Sequence, residues 1–164
     1  MIAFAQGEAS VRFVGGTLVL DDVPREIMPP PPMQWINAKW RCPAVYYRRM
    51  RPWFKQQTIR NRVPRWHDLA LTLHDDREPH TYQEQALHAW EKADCWGSVV
   101  LPTGAGKTFL ALRAIAACAV STLVVVPTVD LLHQWYARLR NAFGMEIGVW
   151  YGQEKRLEEL TVTT

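Results

Sequence analysis

Gly104, Gly106, Lys107 and Thr108 stand together in Pro102-Thr-Gly-Ala-Gly-Lys-Thr108, the grouping in this chain whose types and spacing best suit chemistry. A glycine-rich turn can aim successive backbone N–H groups at one point, because glycine accepts angles and approaches that a Cβ forbids. The positive end of a following helix dipole adds to them, and together they make a cradle for phosphate. Lys107 would reach the β- and γ-phosphates of a nucleotide, and the Thr108 hydroxyl would ligate Mg²⁺. Thr103 and Ala105 complete the loop that would wrap those phosphates. The strict spacing G-x-x-x-x-G-K-T is not met, since Leu101 occupies the place of its first glycine. An accidental Gly-Lys-Thr turn is the alternative, and the flanking sequence argues against it.

A loop of this kind needs a strand to deliver it and a helix to leave it. Ser98-Val-Val-Leu101 is a short β-branched run that reads as a buried strand, and Phe109 to Cys118 reads as a helix. Upstream, Tyr82 to Lys92 carries Ala86, Leu87 and Trp90 at helical spacing. Downstream, Thr122-Leu-Val-Val-Val-Pro127 is short, apolar and bounded by proline, as a buried parallel strand would be. Thr128 can cap the next helix, with Asp130 in its first turn and Leu131, Leu132, Trp135 and Leu139 along one side. Met145 to Tyr151 reads as a third strand and Leu160 to Thr164 as the start of a fourth. Strands alternating with helices imply an α/β layer with a parallel sheet.

The residues before this layer are of another kind. Ser10-Val-Arg-Phe-Val-Gly-Gly-Thr-Leu-Val-Leu20 reads as a hairpin turning at Gly15-Gly16, and Pro29 to Pro32 as a stiff connector. Ala44 to Met50 can be helical, and Pro52 is expected to end or kink that helix. The polar segment Leu73 to Pro79 suggests a boundary between domains 1–78 and 79–164. Charge divides along the same line. Residues 1–78 carry twelve basic and eight acidic side chains, whereas 79–164 carry seven and eight. Between Met33 and His67 there are nine Lys or Arg, no acid, and seven aromatics. A solvated face normally mixes signs, so Arg48, Arg49, Arg51, Lys55, Arg60, Arg62 and Arg65 are candidate contacts to nucleic-acid phosphates. A spare aromatic could stack on an unpaired base. The bland reading makes the aromatics core and the bases merely solvated.

Nearly half of the 164 residues are apolar, which excludes disorder as the default. No apolar run approaches the roughly 18–20 residues that cross a bilayer. Residues 1–20 lack the pattern of a secretory signal, so no membrane role is expected. Cys42, Cys95 and Cys118 are far apart in sequence, and the five histidines are scattered. Reduced thiols and no zinc site are the expectation.

With these residues in view the chain resembles a superfamily 2 helicase. Tyr82-Gln-Glu-Gln-Ala-Leu87, Leu101 to Thr108, Val125-Val-Pro-Thr128 with Leu131-Leu-His-Gln-Trp135, then Tyr151-Gly152 and Thr161 to Thr164 follow the family's order of Q motif, motif I, motif Ia and the approach to motif Ic. The nearest likeness is to the xeroderma pigmentosum group B type, and the N-terminal half resembles that family's damage-recognition domain in order and length. The resemblance implies a small mixed α/β DNA-binding domain followed by part of a RecA-like domain. It implies ATP and Mg²⁺ as cofactors, Gln83 reading the adenine edge, and Lys107 and Thr108 serving catalysis. It also implies Thr128 touching the DNA backbone, and DNA with distorted or single-stranded regions as partner, beside proteins of a repair or transcription complex. A prokaryotic member would be cytoplasmic and nucleoid-associated. His80 departs from the family, which usually carries Arg there to stack on the base. The family's Asp-Glu motif, second RecA-like domain and arginine finger follow positions beyond Thr164, so residues 1–164 are expected to hydrolyse ATP poorly or not at all. A non-catalytic DNA- and nucleotide-binding module is one rival reading. The motor of a restriction-type translocase is another, and it should lack the basic-aromatic N-terminal domain.

Overall fold

The computed structural model describes residues 9–64 and 68–164, which fall into two compact units, Met1–Arg65 and Trp66–Thr164. In the first unit, β1 (Ser10–Val14) and β2 (Thr17–Asp21) form the expected hairpin, turning at Gly15 and Gly16 with φ of 51° and 76°. A second hairpin, β3 (Gln34–Ile36) and β4 (Lys39–Pro43), turns at Asn37 and Ala38, both also at positive φ. A single 3-10 turn (Ala44–Tyr46) leads into α1 (Tyr47–Gln56), and β5 (Arg60–Asn61) closes the sheet in the order β3-β4-β2-β1-β5. All pairings are antiparallel except β1 with β5.

The main core of the first unit lies on one face of this sheet. Val11, Leu18, Leu20, Trp40 and Cys42 point to one side, and Met50 and Phe54 of α1 pack onto them. Met50 and Phe54 are four residues apart, one turn along a single helix face. Arg12 and Lys39 both donate to the Asp21 carboxylate, tying β1, β2 and β4 together. Burial works to raise the pKa of Asp21, but the hydrogen bonds and charges of its two partners outweigh it and hold the carboxyl below its ordinary range. The helix runs through Pro52, so this proline does not end it. Pro52 has no N–H to give the Arg48 carbonyl, and it stands at an exposed position of the helix.

The second unit begins before the polar segment, so the boundary lies at 65/66 and not at 78/79. Leu69, Leu71 and Leu73 pack against its core, and the N–H groups of Leu69 and His74 donate to the carbonyls of Ala119 and Ala142. Its elements are α2 (Thr81–Lys92), α3 (Lys107–Cys118), β6 (Thr122–Val125), α4 (Val129–Phe143), β7 (Ile147–Tyr151), β8 (Glu154–Arg156) and β9 (Leu160–Thr163). The sheet order is β6-β9-β7-β8, with β6, β9 and β7 parallel and β8 a short antiparallel flank. Leu112, Ile115, Leu132, Leu139, Ile147, Leu160 and Val162 form the core between this sheet and its helices.

Two expectations about strands need correction. Ser98 to Leu101 is not a strand; Val99 and Val100 are exposed, and no described segment pairs with them. Extended backbone becomes a strand only when a neighbour supplies the ladder. Likewise β6 is half-buried. Leu123 and Val125 are 58% and 67% exposed, because β6 is the edge of the sheet and pairs only with β9 among the described residues. Cys118, at the end of α3, lies beside Cys95. Burial first, and then this neighbour, raises the Cys118 thiol pKa.

Candidate functional site

The loop from Pro102 to Gly106 meets α3 at Lys107, and its geometry follows from two residues. Gly104 and Gly106 have φ of 80° and 76°, and Gly106 serves as the left-handed N-cap of α3. Leu110 is the first residue of α3 whose N–H closes a helical bond, to the Gly106 carbonyl at 3.0 Å. The N–H groups of Lys107, Thr108 and Phe109 precede it and have no intrahelical acceptor. No side chain caps this end of the helix. That donor set suits an anion.

Lys107 arches back over the loop. Its Nζ donates to the carbonyls of Leu101 and Pro102 at 3.0 and 2.9 Å, which leaves one of its three N–H groups beyond them. Below the loop, Gln83 stands on the first turn of α2 and is only 4% exposed. Its Oε1 accepts from the His80 N–H at 2.9 Å, and its Nε2 donates to the Ala105 carbonyl, also at 2.9 Å. The Tyr82 hydroxyl donates to the same carbonyl at 3.1 Å. A Cβ on Gly106 would come within 2.5 Å of Gln83 Nε2. The Q-motif residues therefore grip the loop from behind. The sequence reading gave the Gln83 amide to an adenine edge; the structure turns both of its ends inward. His80 is likewise engaged, its ring stacked on Tyr82 at 5.5 Å and 15°.

In front of the loop lies a cleft of 640 Å³, within the usual size of small-molecule sites. Thr103, Gly104, Gly106, Lys107 and Thr108 line one end of it, as expected; Ala105 does not, since its carbonyl faces Gln83 and Tyr82. The other end was not anticipated. It is built from His74, Asp75 and Arg77 and from Arg138 and Asn141 of α4, with Phe109 and Leu112 as its apolar floor. Lys107, Arg77 and Arg138 face a single carboxylate, Asp75, so the cleft is electropositive. Arg77 binds Asp75 through two side-chain bonds of 2.8 and 2.6 Å and lies 4.7 Å from the Phe109 ring centroid. Those bonds hold the Asp75 carboxyl below its ordinary range. Arg138 and Asn141 stand three residues apart on one helix face, a spacing visible in sequence, though nothing in sequence says that this end of α4 meets the loop. Thr128 caps α4, its hydroxyl accepting from the Leu131 N–H at 3.3 Å, and it does not line the cleft.

The basic stretch of the first unit resolves into two populations. Trp40 and Phe54 are buried, while Trp35 and Trp53 are partly buried and pack edge-on against them at 5.4 and 5.9 Å. Trp35, Trp40 and Trp53 are thus used by the core, and among the described residues of the first unit the exposed aromatics are Phe13 and Tyr46. Arg48, Arg51 and Lys55 recur at helical spacing along one side of α1, away from Met50 and Phe54; Arg49, Arg51 and Lys55 are exposed and Arg48 half-buried. Arg60 in β5 and Arg62 just after it are exposed, their backbone N–H groups donating to the carbonyls of Ala9 and Val11. Arg65 lies outside the described residues.

A family model described as "Type III restriction enzyme, res subunit" matches residues 76–164. Over 137 residues, 82% of the chain, there is 36% identity to a DNA 3'-5' translocase XPB2 of Sulfurisphaera tokodaii. A putative DNA 3'-5' helicase Rad25 of Halobacterium salinarum is 37% identical over 99 residues, and a DNA 3'-5' helicase XPB of Mycobacterium tuberculosis 35% over 71. The chain spans 31%, 16% and 13% of the lengths of these three proteins. An alignment of 137 residues is longer than the second unit, so the first likeness reaches into the N-terminal unit as well.

Proposed function

Since the chain belongs to the family of the type III restriction enzyme res subunit and is an XPB-like superfamily 2 helicase sequence, we propose that it binds Mg-ATP in the cleft before Lys107 and DNA along the basic face of α1. It would thereby serve as the nucleotide- and DNA-gripping part of a DNA translocase. The observation that carries this reading is the cleft itself. Unpaired N–H groups at the start of α3, Lys107, and two further cations converge on one space of nucleotide size. Phosphates would lie against the N–H groups of the loop, with Lys107 and Thr108 on the β- and γ-phosphates and their Mg²⁺. When bound, Mg-ATP supplies the anhydride bond whose cleavage drives such motors. The residues of this chain position it and neutralise its charge.

DNA would lie across Arg48, Arg51 and Lys55, flanked by Arg49, Arg60 and Arg62. The extent of the XPB2 likeness favours this reading over a restriction-type motor, which should lack the basic first unit. Titration with a fluorescent ATP analogue tests the nucleotide half. Lys107→Ala should weaken binding at least about tenfold, since a bond to a charged partner contributes roughly 1.5–3 kcal/mol. Equal affinity in the parent and the variant would refute the site.

A further inference from the structure

Two of the three cysteines stand where neighbouring helices end, Cys95 just after α2 and Cys118 as the last residue of α3. We propose that they are a modification site, a thiol pair that a low-molecular-weight disulfide converts to a Cys95–Cys118 bond latching the far ends of α2 and α3 together.

The two helices carry these residues to one place by running in step. Gln83, on the first turn of α2, lies against Gly106, the residue from which α3 starts. One turn on, Leu87 and Leu110 line a single cleft of 240 Å³, and a turn further so do Trp90 and Ala114. The next turn brings one helix to Cys118 and the other to Asp94 and Cys95. There the chain does not leave α2 freely. Asp94 takes a left-handed φ of 62°, and the N–H groups of Asp94 and Cys95 donate to the carbonyls of Glu91 and Trp90 at 2.8 and 3.0 Å. That pair of bonds is a Schellman turn, which folds Cys95 back over the last turn of its helix. The two thiols are neighbours as a result, close enough that Cys95, after burial, helps to raise the Cys118 pKa. The third cysteine, Cys42, belongs to the core of the first unit.

Exposure sets the order of events. Cys95 is exposed and Cys118 half-buried, so the Cys95 thiolate is the one that meets the oxidant. With glutathione disulfide as the probe, it attacks one sulfur, expels one glutathione thiolate and is left as a mixed disulfide. The Cys118 thiolate then attacks the Cys95 sulfur and expels the second glutathione. In sum, two protein thiols and one glutathione disulfide give one protein disulfide and two molecules of glutathione. The ring so closed contains the phosphate loop and all of α3, and it fastens α2 to α3 at the end away from Gln83 and Gly106.

The test is incubation of the full 164-residue chain with glutathione disulfide at low protein concentration. Thiols titrated in denaturant should fall from three to one, peptide mapping should join Cys95 to Cys118, and dithiothreitol should restore all three. The urea midpoint of the oxidised chain should rise, its unfolding constant becoming about thirtyfold smaller or more. Cys118→Ser should stop at a stable glutathione adduct on Cys95, and the double variant Cys95→Ser with Cys118→Ser should keep its midpoint under the same treatment. In the parent chain, a lasting adduct on Cys95, dimers linked through Cys95, or unreacted thiols would each overturn the latch, because apposed thiols resolve within one chain. A cross-linked chain with an unchanged or lower midpoint would also overturn it, since the bond would then have formed by distorting the helices. An equal rise in the double variant would assign the effect to Cys42 instead.

Discussion

Gln83 and Gly106 touch so closely that a single methyl group on the glycine would lie 2.5 Å from the amide nitrogen. The helix of the Q motif and the phosphate loop are thus one assembly, joined where the loop becomes α3. Gly106→Ala should therefore do two kinds of damage: strain from a left-handed alanine, about 1–2 kcal/mol, and displacement of Gln83. Gly104→Ala meets nothing within 4 Å and should show the backbone strain alone. Denaturant midpoints of the two variants, measured side by side, should place Gly106→Ala clearly lower.

Gln83→Ala removes one of the two side-chain bonds to the Ala105 carbonyl and leaves that of Tyr82, so the loss should fall on the loop and not on base choice. ATP and GTP should weaken by the same factor, and amide exchange at Ala105 and Gly106 should quicken. A variant that loses ATP but keeps GTP would return Gln83 to the base edge.

Binding of single-stranded or duplex DNA to the chain should weaken with salt, each engaged phosphate adding about 0.7–0.9 to the log–log slope. Replacing Arg48, Arg49 and Arg51 together by Gln should flatten that slope by roughly 2–3 units if all three contact phosphate. Fluorescence anisotropy across a salt series measures it. An unchanged slope would leave α1 a solvated helix and nothing more.

Asp21 gives the first unit a pH dependence of known sign. Its folded pKa is depressed, so its contribution is present above the ordinary carboxylate range and is lost as pH falls through the lower folded value. Arg12 and Lys39 are 43% and 39% exposed, so after solvent screening the effect should be only about 0.5–1 kcal/mol. Asp21→Asn should lower stability at pH 7 by that amount, and the gap should close in acid once the pH has fallen through the carboxyl's depressed folded range. Urea melts at the two pH values decide it.

What the sequence disclosed was what neighbours along the chain decide. The hairpin at Gly15-Gly16 and the Thr128 cap each depend on a few adjacent residues, and each is where it was expected; α3 was expected from Phe109 and begins two residues earlier, at Lys107. The β3–β4 hairpin was not expected, because Asn37-Ala38 takes the positive φ pair without a glycine to announce it. Ser98 to Leu101 has strand composition, but a strand is a property of two segments, and only one of them can be read locally. The far wall of the cleft was hidden for the same reason. Arg77, Arg138 and Asn141 come from segments some sixty residues apart, which meet because Leu69, Leu71 and Leu73 lay the chain against the core beside α4. The inward turn of Gln83 was invisible too, since an amide at a helix start gives no sign of which partner it will choose.

The exposed flank of β6 gives the second unit a direction of growth. A sheet stops where its last strand is guarded by charge, proline or a bulge. Here, among the described residues, the last strand pairs only with β9, and it carries no charged side chain between Thr122 and Val125. The outward side of this flank is a nucleation edge, ready to template one more strand from any β-branched segment laid along it. A lysine in place of Leu123 or Val125 is the smallest change that would guard such an edge.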